Sequence, residues 1–287
     1  MNKISLLALL LLVPLLCGCV SQRDGSEQVK VVTTIIPLGE FVKAVGGDRV
    51  AVSVLVPPGA DPHTFEPLPS QIREVANADA YMENDVGLES WMANILRVNS
   101  HMPVVDTSRG VSLIRGETAS AGSTSTMDAH IWLSPRNAVI QVQNICDGLI
   151  SVDPAGKDYY INNRDNYVSK LKELDAYLNR TFAGTEKKNF VVLHPAWIYF
   201  ASDFGLAQIA IEAEEKEPGP RYLAEVVNAA RANNITTVFV EPQYNPKMAE
   251  VIANEIGGKV VSIDDLAPDY IDNLKSVGEK IAESLRS

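Results

Sequence analysis

The stretch Val50-Ala51-Val52-Ser53-Val54-Leu55-Val56-Pro57-Pro58-Gly59-Ala60-Asp61-Pro62-His63-Thr64-Phe65-Glu66-Pro67 changes from strand to loop within a few residues. Its first half has valine at every second position, and β-branched residues are typical of a β-strand. The prolines and the glycine that follow cannot continue a strand ladder. His63 therefore stands just beyond the end of a strand, where open α/β sheets bind their ligands. A lone histidine in a loop is more often an ordinary surface residue, so this interpretation depends on the rest of the chain.

The first eighteen residues are predicted to be an export signal. Lys3 supplies a positive charge, and residues 4–16 form an apolar run that is short for a transmembrane helix. Leu16-Cys17-Gly18-Cys19 resembles a lipoprotein signal box, in which cleavage precedes a lipidated cysteine. Because the small residue Gly18 stands before Cys19, we expect residues 1–18 to be removed and Cys19 to be acylated. A plain export signal or an uncleaved anchor is the alternative.

Residues 19–28 are polar and are expected to form a flexible tether. The mature protein is thus predicted to be exported and lipid-anchored at the outer face of the cytoplasmic membrane, in a periplasm or at a cell surface. Once Cys19 is acylated, Cys146 is the only cysteine left, so no intrachain disulfide is expected.

The chain is acidic. Its formal net charge is -11, and removing the signal peptide, which holds one lysine and no acidic residue, makes it -12. An acidic chain without basic runs argues against nucleic-acid binding. It is mildly consistent with a cationic ligand, although net charge alone says little about function.

From residue 29 onward, apolar strand segments alternate with helical segments, which predicts an α/β fold with parallel sheets. We expect two βα lobes, at residues 29–153 and 184–287. A long helix without internal glycine or proline, at residues 154–183, is predicted to join them as a rigid spine, with a ligand cleft between the lobes.

Three local predictions concern helices of the first lobe. Ser70 is expected to cap a helix over residues 70–76, and residues 88–99 are expected to form one amphipathic helix. Ser134, followed by Pro135, is expected to cap a helix that runs to about Ile150.

Three of the four histidines, His63, His130 and His194, stand in loops beside predicted strand or helix ends. The carboxylates Asp264 and Glu241 follow two later strands. Because the carboxyl ends of parallel strands meet at one edge of a sheet, two facing lobes can bring such groups into one cleft.

Three imidazoles and one carboxylate suit Zn²⁺, which takes four nitrogen or oxygen ligands at about 2.0–2.2 Å. Mn²⁺ favours a larger share of oxygen ligands and ranks second. Either Asp264 or Glu241 could be the carboxylate ligand, and Glu66 and Glu241 are candidates for outer groups or alternative ligands. Since neutral imidazole binds metal, affinity should fall as the pH drops through the histidine range.

Several motifs follow one another along the chain: Pro62-His63-Thr64-Phe65-Glu66-Pro67, Asp128-Ala129-His130-Ile131-Trp132-Leu133, His194-Pro195-Ala196-Trp197-Ile198-Tyr199, Phe204-Gly205-Leu206, Glu217-Pro218 and Ile263-Asp264. Together they resemble the motifs of the metal-binding lipoproteins of zinc and manganese ABC importers, the zinc-uptake and TroA-like family of solute-binding proteins. The resemblance covers the chain from about Val29 to its end.

The resemblance implies two βα lobes joined by one long rigid helix, with the metal between them. It also implies delivery of the ion to a membrane permease driven by a cytoplasmic ATPase. Carried over by motif, His63, His130, His194 and Asp264 match the family's ligand positions. The third position is typically glutamate in the manganese branch, so His194 favours zinc.

This sequence departs from the zinc members in two places. The Ser/Thr-rich segment between Gly116 and Met127 contains no histidine, whereas zinc members often have a histidine-rich loop there. Pro195, directly after the third histidine, could alter how that loop moves.

We expect a monomeric binding protein rather than an enzyme, with little lobe motion on metal release because the spine is rigid. The alternatives are a manganese-binding component of the same transporter class, a zinc-dependent hydrolase with an open coordination position and Glu66 as general base, and a metal-stabilised adhesin.

Overall fold

The computed structural model describes residues 28–116, 127–212 and 218–286. The predicted signal peptide, Cys19 and nearly all of the tether lie outside these ranges, as does most of the Ser/Thr-rich segment. Within the described ranges, no helix is both long enough and apolar enough to cross a bilayer.

Two four-stranded sheets, one in each half of the chain, form the frame of the molecule. Every strand pair in them is parallel, and the strand orders are β2-β1-β3-β4 and β6-β5-β7-β8. The strands of the first sheet are β1 (Val29–Thr33), β2 (Val50–Val54), β3 (Ala80–Glu83) and β4 (Val104–Asp106). Those of the second are β5 (Asn189–Val192), β6 (Ala207–Ala210), β7 (Thr237–Val240) and β8 (Lys259–Ser262). The prediction of two parallel βα lobes is confirmed.

Nine α-helices connect and cover the strands in the described part of the chain. They are α1 (Ile36–Gly46), α2 (Pro69–Ala76), α3 (Met92–Ile95), α4 (Pro135–Val152), α5 (Lys157–Phe182), α6 (Ile198–Asp203), α7 (Pro220–Ala232), α8 (Lys247–Glu255) and α9 (Tyr270–Arg286). The long helix α5 lies within the predicted spine. The lobe boundaries assigned from the sequence stay a prediction.

Of the three local helix predictions, one is confirmed. Ser134 caps α4, because its side chain accepts a hydrogen bond from the Asn137 backbone N–H. The predicted cap Ser70 is wrong: α2 begins one residue earlier, and the Gln71 side chain accepts a hydrogen bond from the backbone N–H of Leu68, the N-cap residue.

The single amphipathic helix predicted over residues 88–99 is also wrong. Only α3 is α-helical there, and a 3₁₀ turn over Leu96–Asn99 follows it. Upstream, Asp85 and Val86 have positive φ angles, and the Glu89 carboxylate accepts hydrogen bonds from two backbone N–H groups of that turn. This local bonding replaces the helical hydrogen bonds at the start of the segment.

One hydrophobic core runs through both lobes and the spine. It contains Phe41 of α1, Leu171 of α5, Phe200 of α6 and Ile281 of α9, all fully buried. The inward face of α5 comprises Tyr160, Tyr167, Leu171, Leu174, Leu178 and Phe182. Since interiors of this kind are closely packed, relative movement of the lobes would disturb many contacts at once.

Hydrogen bonds between distant parts of the chain reinforce this junction. Glu40 of α1 accepts one hydrogen bond from the Tyr167 hydroxyl at 2.8 Å and another from the Tyr270 backbone N–H at 2.7 Å. The Trp132 indole donates to the Asp265 carbonyl at 2.7 Å, and the Tyr270 hydroxyl donates to the Trp132 carbonyl at 2.6 Å. The two halves are thus tied together next to the loops that follow their sheets.

Replacing Gly278 of α9 by alanine tests the packing between α9 and the spine. In most helices this change raises stability, because alanine has the higher helix propensity. Here the added Cβ would overlap Leu178 Cδ2. We therefore expect the free energy of unfolding to fall by about 1–3 kcal/mol in urea denaturation. Adding Leu178→Ala should relieve the overlap, so the double variant should be more stable than additivity predicts. A stabilised Gly278→Ala variant would refute this packing.

Candidate metal centre

Three imidazole rings meet where the two lobes face each other. The Nε2 atom of His130 lies 3.2 Å from Nε2 of His63 and 3.2 Å from Nε2 of His194. One nitrogen from each ring can be chosen so that all three lie within 4.8 Å of one another. Among the described residues, this group contains no carboxylate.

His63 lies in the proline-rich loop that follows β2. Asp61 shapes this loop, since its carboxylate accepts hydrogen bonds from the His63 backbone N–H and the Thr64 hydroxyl, both at 2.9 Å. The Trp91 indole donates to the Pro62 carbonyl at 3.0 Å. His63 is the partly exposed member of the trio, whereas the other two histidines are each 4% exposed.

His130 precedes the short turn that leads into α4. Its Nδ1 lies 3.1 Å from Oδ1 of Asp128, which also accepts the His130 backbone N–H at 2.9 Å. Burial alone would lower the pKa of His130, but the nearby Asp128 carboxylate raises it above its usual value. The Asp128 bond to Nδ1 turns Nε2 toward the other two rings.

His194 follows β5 in the second lobe. Its Nδ1 lies 3.6 Å from Oε2 of Glu212, whose backbone N–H extends the β5–β6 ladder by donating to the Leu193 carbonyl at 2.9 Å. The Tyr244 ring stacks on the imidazole, with ring centroids 4.6 Å apart. Pairing of β5 with the end of β6 thus holds the Glu212 carboxylate beside His194.

Two of the rings have pKa shifts of opposite sign. Burial, and then the charge of the other two histidines, lowers the pKa of His63 to about 2. Against the effect of burial, the Asp128 carboxylate raises the pKa of His130. A neutral His130 that donates its Nδ1 proton to Asp128 has its Nε2 lone pair available for a metal ion.

Asp264, the carboxylate assigned by motif, is not in the group of ligand atoms. Its Oδ1 accepts hydrogen bonds from the Leu266 backbone N–H at 2.8 Å and from Gln243 Nε2 at 3.4 Å. Its neighbour Asp265 is 4% exposed, and within the described part of the chain its Oδ1 has no hydrogen-bond partner. Burial raises the pKa of Asp265, and the positive charge of His130 and His194 partly offsets that effect. Asp265 is also outside the group of ligand atoms, but it is near enough to His130 and His194 for their charge to act on it, and one of its oxygens is unpaired among the described residues.

The two glutamates considered from the sequence have different surroundings. Glu66 is exposed and lies outside the group. Glu241 is 1% exposed, and its Oε1 accepts the Trp197 indole N–H at 2.7 Å. Burial raises its pKa well above the usual range, and the nearby Asp265 adds to this shift. Glu241 Oε1 is thus bonded to the segment that carries His194, whereas its Oε2, like Oδ1 of Asp265, has no hydrogen-bond partner among the described residues.

Sequence reasoning missed Asp128, Glu212 and Asp265 as parts of the site. Asp128 stands two residues before His130, and that spacing could have identified it as an acidic partner of the ring. Glu212 lies 18 residues from His194 along the chain, so only strand pairing reveals it. The choice between Asp264 and Asp265 depends on side-chain direction, which the sequence does not specify.

Comparison with known proteins places the chain among metal-uptake proteins. A family model described as ZnuA, zinc-uptake complex component A, periplasmic, matches residues 31–284. The chain is 30% identical over 295 residues to the high-affinity zinc uptake system protein ZnuA of Bacillus subtilis (strain 168), covering 94% of this chain and 92% of that protein.

A sequence relative and a solved structure are also similar to this chain. The manganese-binding lipoprotein MntA of Halalkalibacterium halodurans is 29% identical over 266 residues, covering 90% of this chain and 87% of MntA. A crystal structure of a ZnuA superposes with a TM-score of 0.86 and 36% identity, covering 90% of this chain and 100% of the ZnuA chain. The fold expected from the sequence is therefore that of solved metal-binding proteins.

The metal-free protein is expected to lose stability as the pH falls below about 6.5, the usual histidine pKa. The pKa of His63 in the folded protein is about 2. Between these values the unfolded chain binds a proton that the folded chain does not, which lowers the free energy of unfolding by at most about 1.4 kcal/mol per pH unit. We expect Tm to drop less between pH 7 and pH 5.5 in His63→Gln than in the wild type. Equal drops would contradict the shifted pKa.

Proposed function

This chain belongs to the zinc-uptake component A family of solute-binding proteins, and from that premise we propose that it is the extracytoplasmic zinc-binding component of a metal ABC importer. The observation that supports this most directly is the meeting of three imidazoles from both lobes, with His130 Nε2 3.2 Å from each of its neighbours. Zn²⁺ is the cargo, bound by His63, His130 and His194 with one carboxylate.

A carrier accounts for this site better than a hydrolase does. A hydrolytic zinc site keeps an open position for water and a general base beside it. The base considered from the sequence, Glu66, is exposed and outside the ligand group. The buried carboxyl groups of Asp265 and Glu241 could supply negative charge once a cation is bound beside them, which suits a closed site that holds its ion reversibly.

Zinc is favoured over manganese by the donor set. Nitrogen-rich sites suit Zn²⁺, whereas Mn²⁺ favours more carboxylate and carbonyl oxygens. The third ligand here is His194, and a manganese-binding relative of similar identity exists, so Mn²⁺ remains the alternative cargo. Because Mn²⁺ prefers oxygen ligands, its binding would depend more on the carboxylates of Asp265 and Glu241 than zinc binding would.

The remaining parts of the proposal follow from the family. We propose delivery of the ion to a membrane permease that a cytoplasmic ATPase drives, with Cys19 acylated so that the protein stays at the outer face of the membrane. We propose that the protein acts as a monomer; the three histidines come from one chain, so this trio needs no partner subunit.

For the fourth ligand, the family motif points to Asp264, while burial points to Asp265. Asp264 is already engaged with Leu266 and Gln243. Asp265 is 4% exposed and has an oxygen without a hydrogen-bond partner among the described residues. A buried unsatisfied carboxylate is unfavourable unless an ion or a proton compensates it. Glu241 also has a buried oxygen without such a partner, but its other oxygen is held by the Trp197 indole. We propose Asp265 as the fourth ligand, with Asp264 and Glu241 as the alternatives.

Replacing any of the three histidines by alanine should weaken zinc binding at least about 100-fold, more than the loss of an outer-shell partner usually causes. The measurement is competitive titration of metal-free protein with a zinc chelator of known affinity. His101→Ala is the matched control, because His101 is exposed and outside the ligand group.

The wild-type protein should bind one zinc ion reversibly, without turnover. Unchanged affinity in all three histidine variants would refute the site. Chelator-sensitive hydrolysis of an ester or peptide by the wild type would favour an enzyme instead.

The fourth ligand is tested by comparing Asp264→Asn with Asp265→Asn in the same titration. We expect Asp265→Asn to lose zinc affinity by more than about tenfold, because the carboxylate charge next to the ion is removed, while Asp264→Asn loses less. The Co²⁺-loaded proteins should show altered d–d absorption in Asp265→Asn alone. The reverse ranking would restore Asp264 as the ligand.

A further inference from the structure

The Tyr199 hydroxyl makes two hydrogen bonds to the backbone, one to Ile114 and one to Asp128. It accepts a hydrogen bond from the Ile114 N–H at 3.1 Å and donates one to the Asp128 carbonyl at 2.9 Å. The side chain is almost fully enclosed, with 2% of the residue exposed. Tyr199 lies in α6, five residues after His194, so its hydroxyl links the helix behind the third histidine to the loop of the second.

The backbone that Tyr199 contacts is the base of a short antiparallel pairing. Arg115 and Met127 form an isolated bridge, and the Asp128 N–H donates to the Ile114 carbonyl at 2.8 Å. A backbone hydrogen bond therefore joins Ile114 and Asp128, and the Tyr199 hydroxyl, from the second lobe, bonds to both residues. Among the described residues, Tyr199 is the side chain that hydrogen-bonds to the Ile114 N–H and to the Asp128 carbonyl.

Asp128 is the residue through which this contact can reach the metal centre. Its Oδ1 holds both the backbone N–H and Nδ1 of His130. The orientation of a ligating imidazole depends on the partner of its other nitrogen, and losing that partner typically costs 10–100-fold in metal affinity. A shift of the Asp128 backbone would tilt the ring and move Nε2 away from the other two nitrogens.

We infer that Tyr199 is a positioning residue for zinc: it holds Asp128, and through it His130, in register with His194 of the other lobe. This inference rests on the proposed zinc-binding function and adds to it a residue outside the ligand set. Because the contact crosses between the lobes, it adds a local restraint on the placement of His130 relative to His194 to the restraint that the core provides.

The hydroxyl is suited to this role at any physiological pH. Burial raises the pKa of Tyr199 to about 12, so the group keeps its proton and can donate to the Asp128 carbonyl. Phenylalanine would keep the ring packed in place and remove both hydrogen bonds. The Ile114 N–H and the Asp128 carbonyl would then each lose a buried partner.

The experiment is a double-mutant cycle with Tyr199→Phe and Asp128→Asn in the full chain, read by competitive zinc titration and by the d–d absorption of the Co²⁺-loaded protein. Tyr222→Phe is the matched control, since the Tyr222 hydroxyl also donates to a backbone carbonyl, that of Ala210 in the second lobe. The Tm of each metal-free variant shows whether it is folded.

We expect Tyr199→Phe to weaken zinc binding roughly tenfold and to change the Co²⁺ absorption, while Tyr222→Phe does neither. In the Asp128→Asn background, Tyr199→Phe should weaken binding by less than about threefold, since the residue through which it acts is already impaired. The metal-free Tm should fall more in Tyr199→Phe, which loses two hydrogen bonds, than in Tyr222→Phe, which loses one to Ala210, and both variants should stay folded.

Wild-type affinity in Tyr199→Phe would overturn the inference, even if the histidine variants behave as proposed. A full tenfold loss in both backgrounds would also overturn it, because Tyr199 would then act independently of Asp128. If the wild type itself binds no zinc tightly, the proposed function fails and this inference fails with it.

Discussion

The metal centre depends on keeping three imidazole rings from two separate sheets in contact. Both sheets have the same strand order and are fully parallel, so the loops that follow their strands emerge at one edge of each sheet. His63 follows β2, and His194 follows β5. His130 stands before α4, which packs against the spine helix α5. Side chains on mobile loops would not hold such short distances by themselves. The continuous core and the hydrogen bonds around Trp132 and Tyr270 therefore fix the separation of the lobes.

The three proposed ligands differ in their exposure. His130 and His194 are buried, and acidic side chains lie beside their Nδ1 atoms. His63 is partly exposed, in a loop whose hydrogen bonds with Asp61 and Trp91 lie within the first lobe. His63 is therefore the member of the trio that is most accessible to solvent. The small lobe motion expected from the rigid spine stays a prediction.

Charge around the site is arranged for a divalent cation. Asp128, Asp265 and Glu241 are all buried near the rings, and burial raises the pKa of Asp265 and of Glu241. Against the effect of burial, the Asp128 carboxylate also raises the pKa of His130. A metal ion held by the three rings would place positive charge beside these acidic groups, and it requires neutral imidazoles. Its affinity is therefore expected to fall as the pH drops and the rings bind protons.

The sequence by itself determined the βα alternation, the long helix and the three histidines, because these follow from local patterns: valines at alternate positions, prolines that end strands, and histidines directly after them. It also determined the Ser134 cap, which is a local interaction. Helix extent, side-chain burial and the contacts around the histidines were decided by the tertiary structure alone, because they depend on residues that are distant in the sequence. Residues 88–99 did not form one helix because Glu89 bonds the turn before them. Asp265 rather than Asp264 is buried beside the rings, although both follow β8, since the Trp132 bond to the Asp265 carbonyl orients that turn. Glu212 and Tyr199 reach the histidines only through strand pairing and lobe packing, which no local pattern specifies.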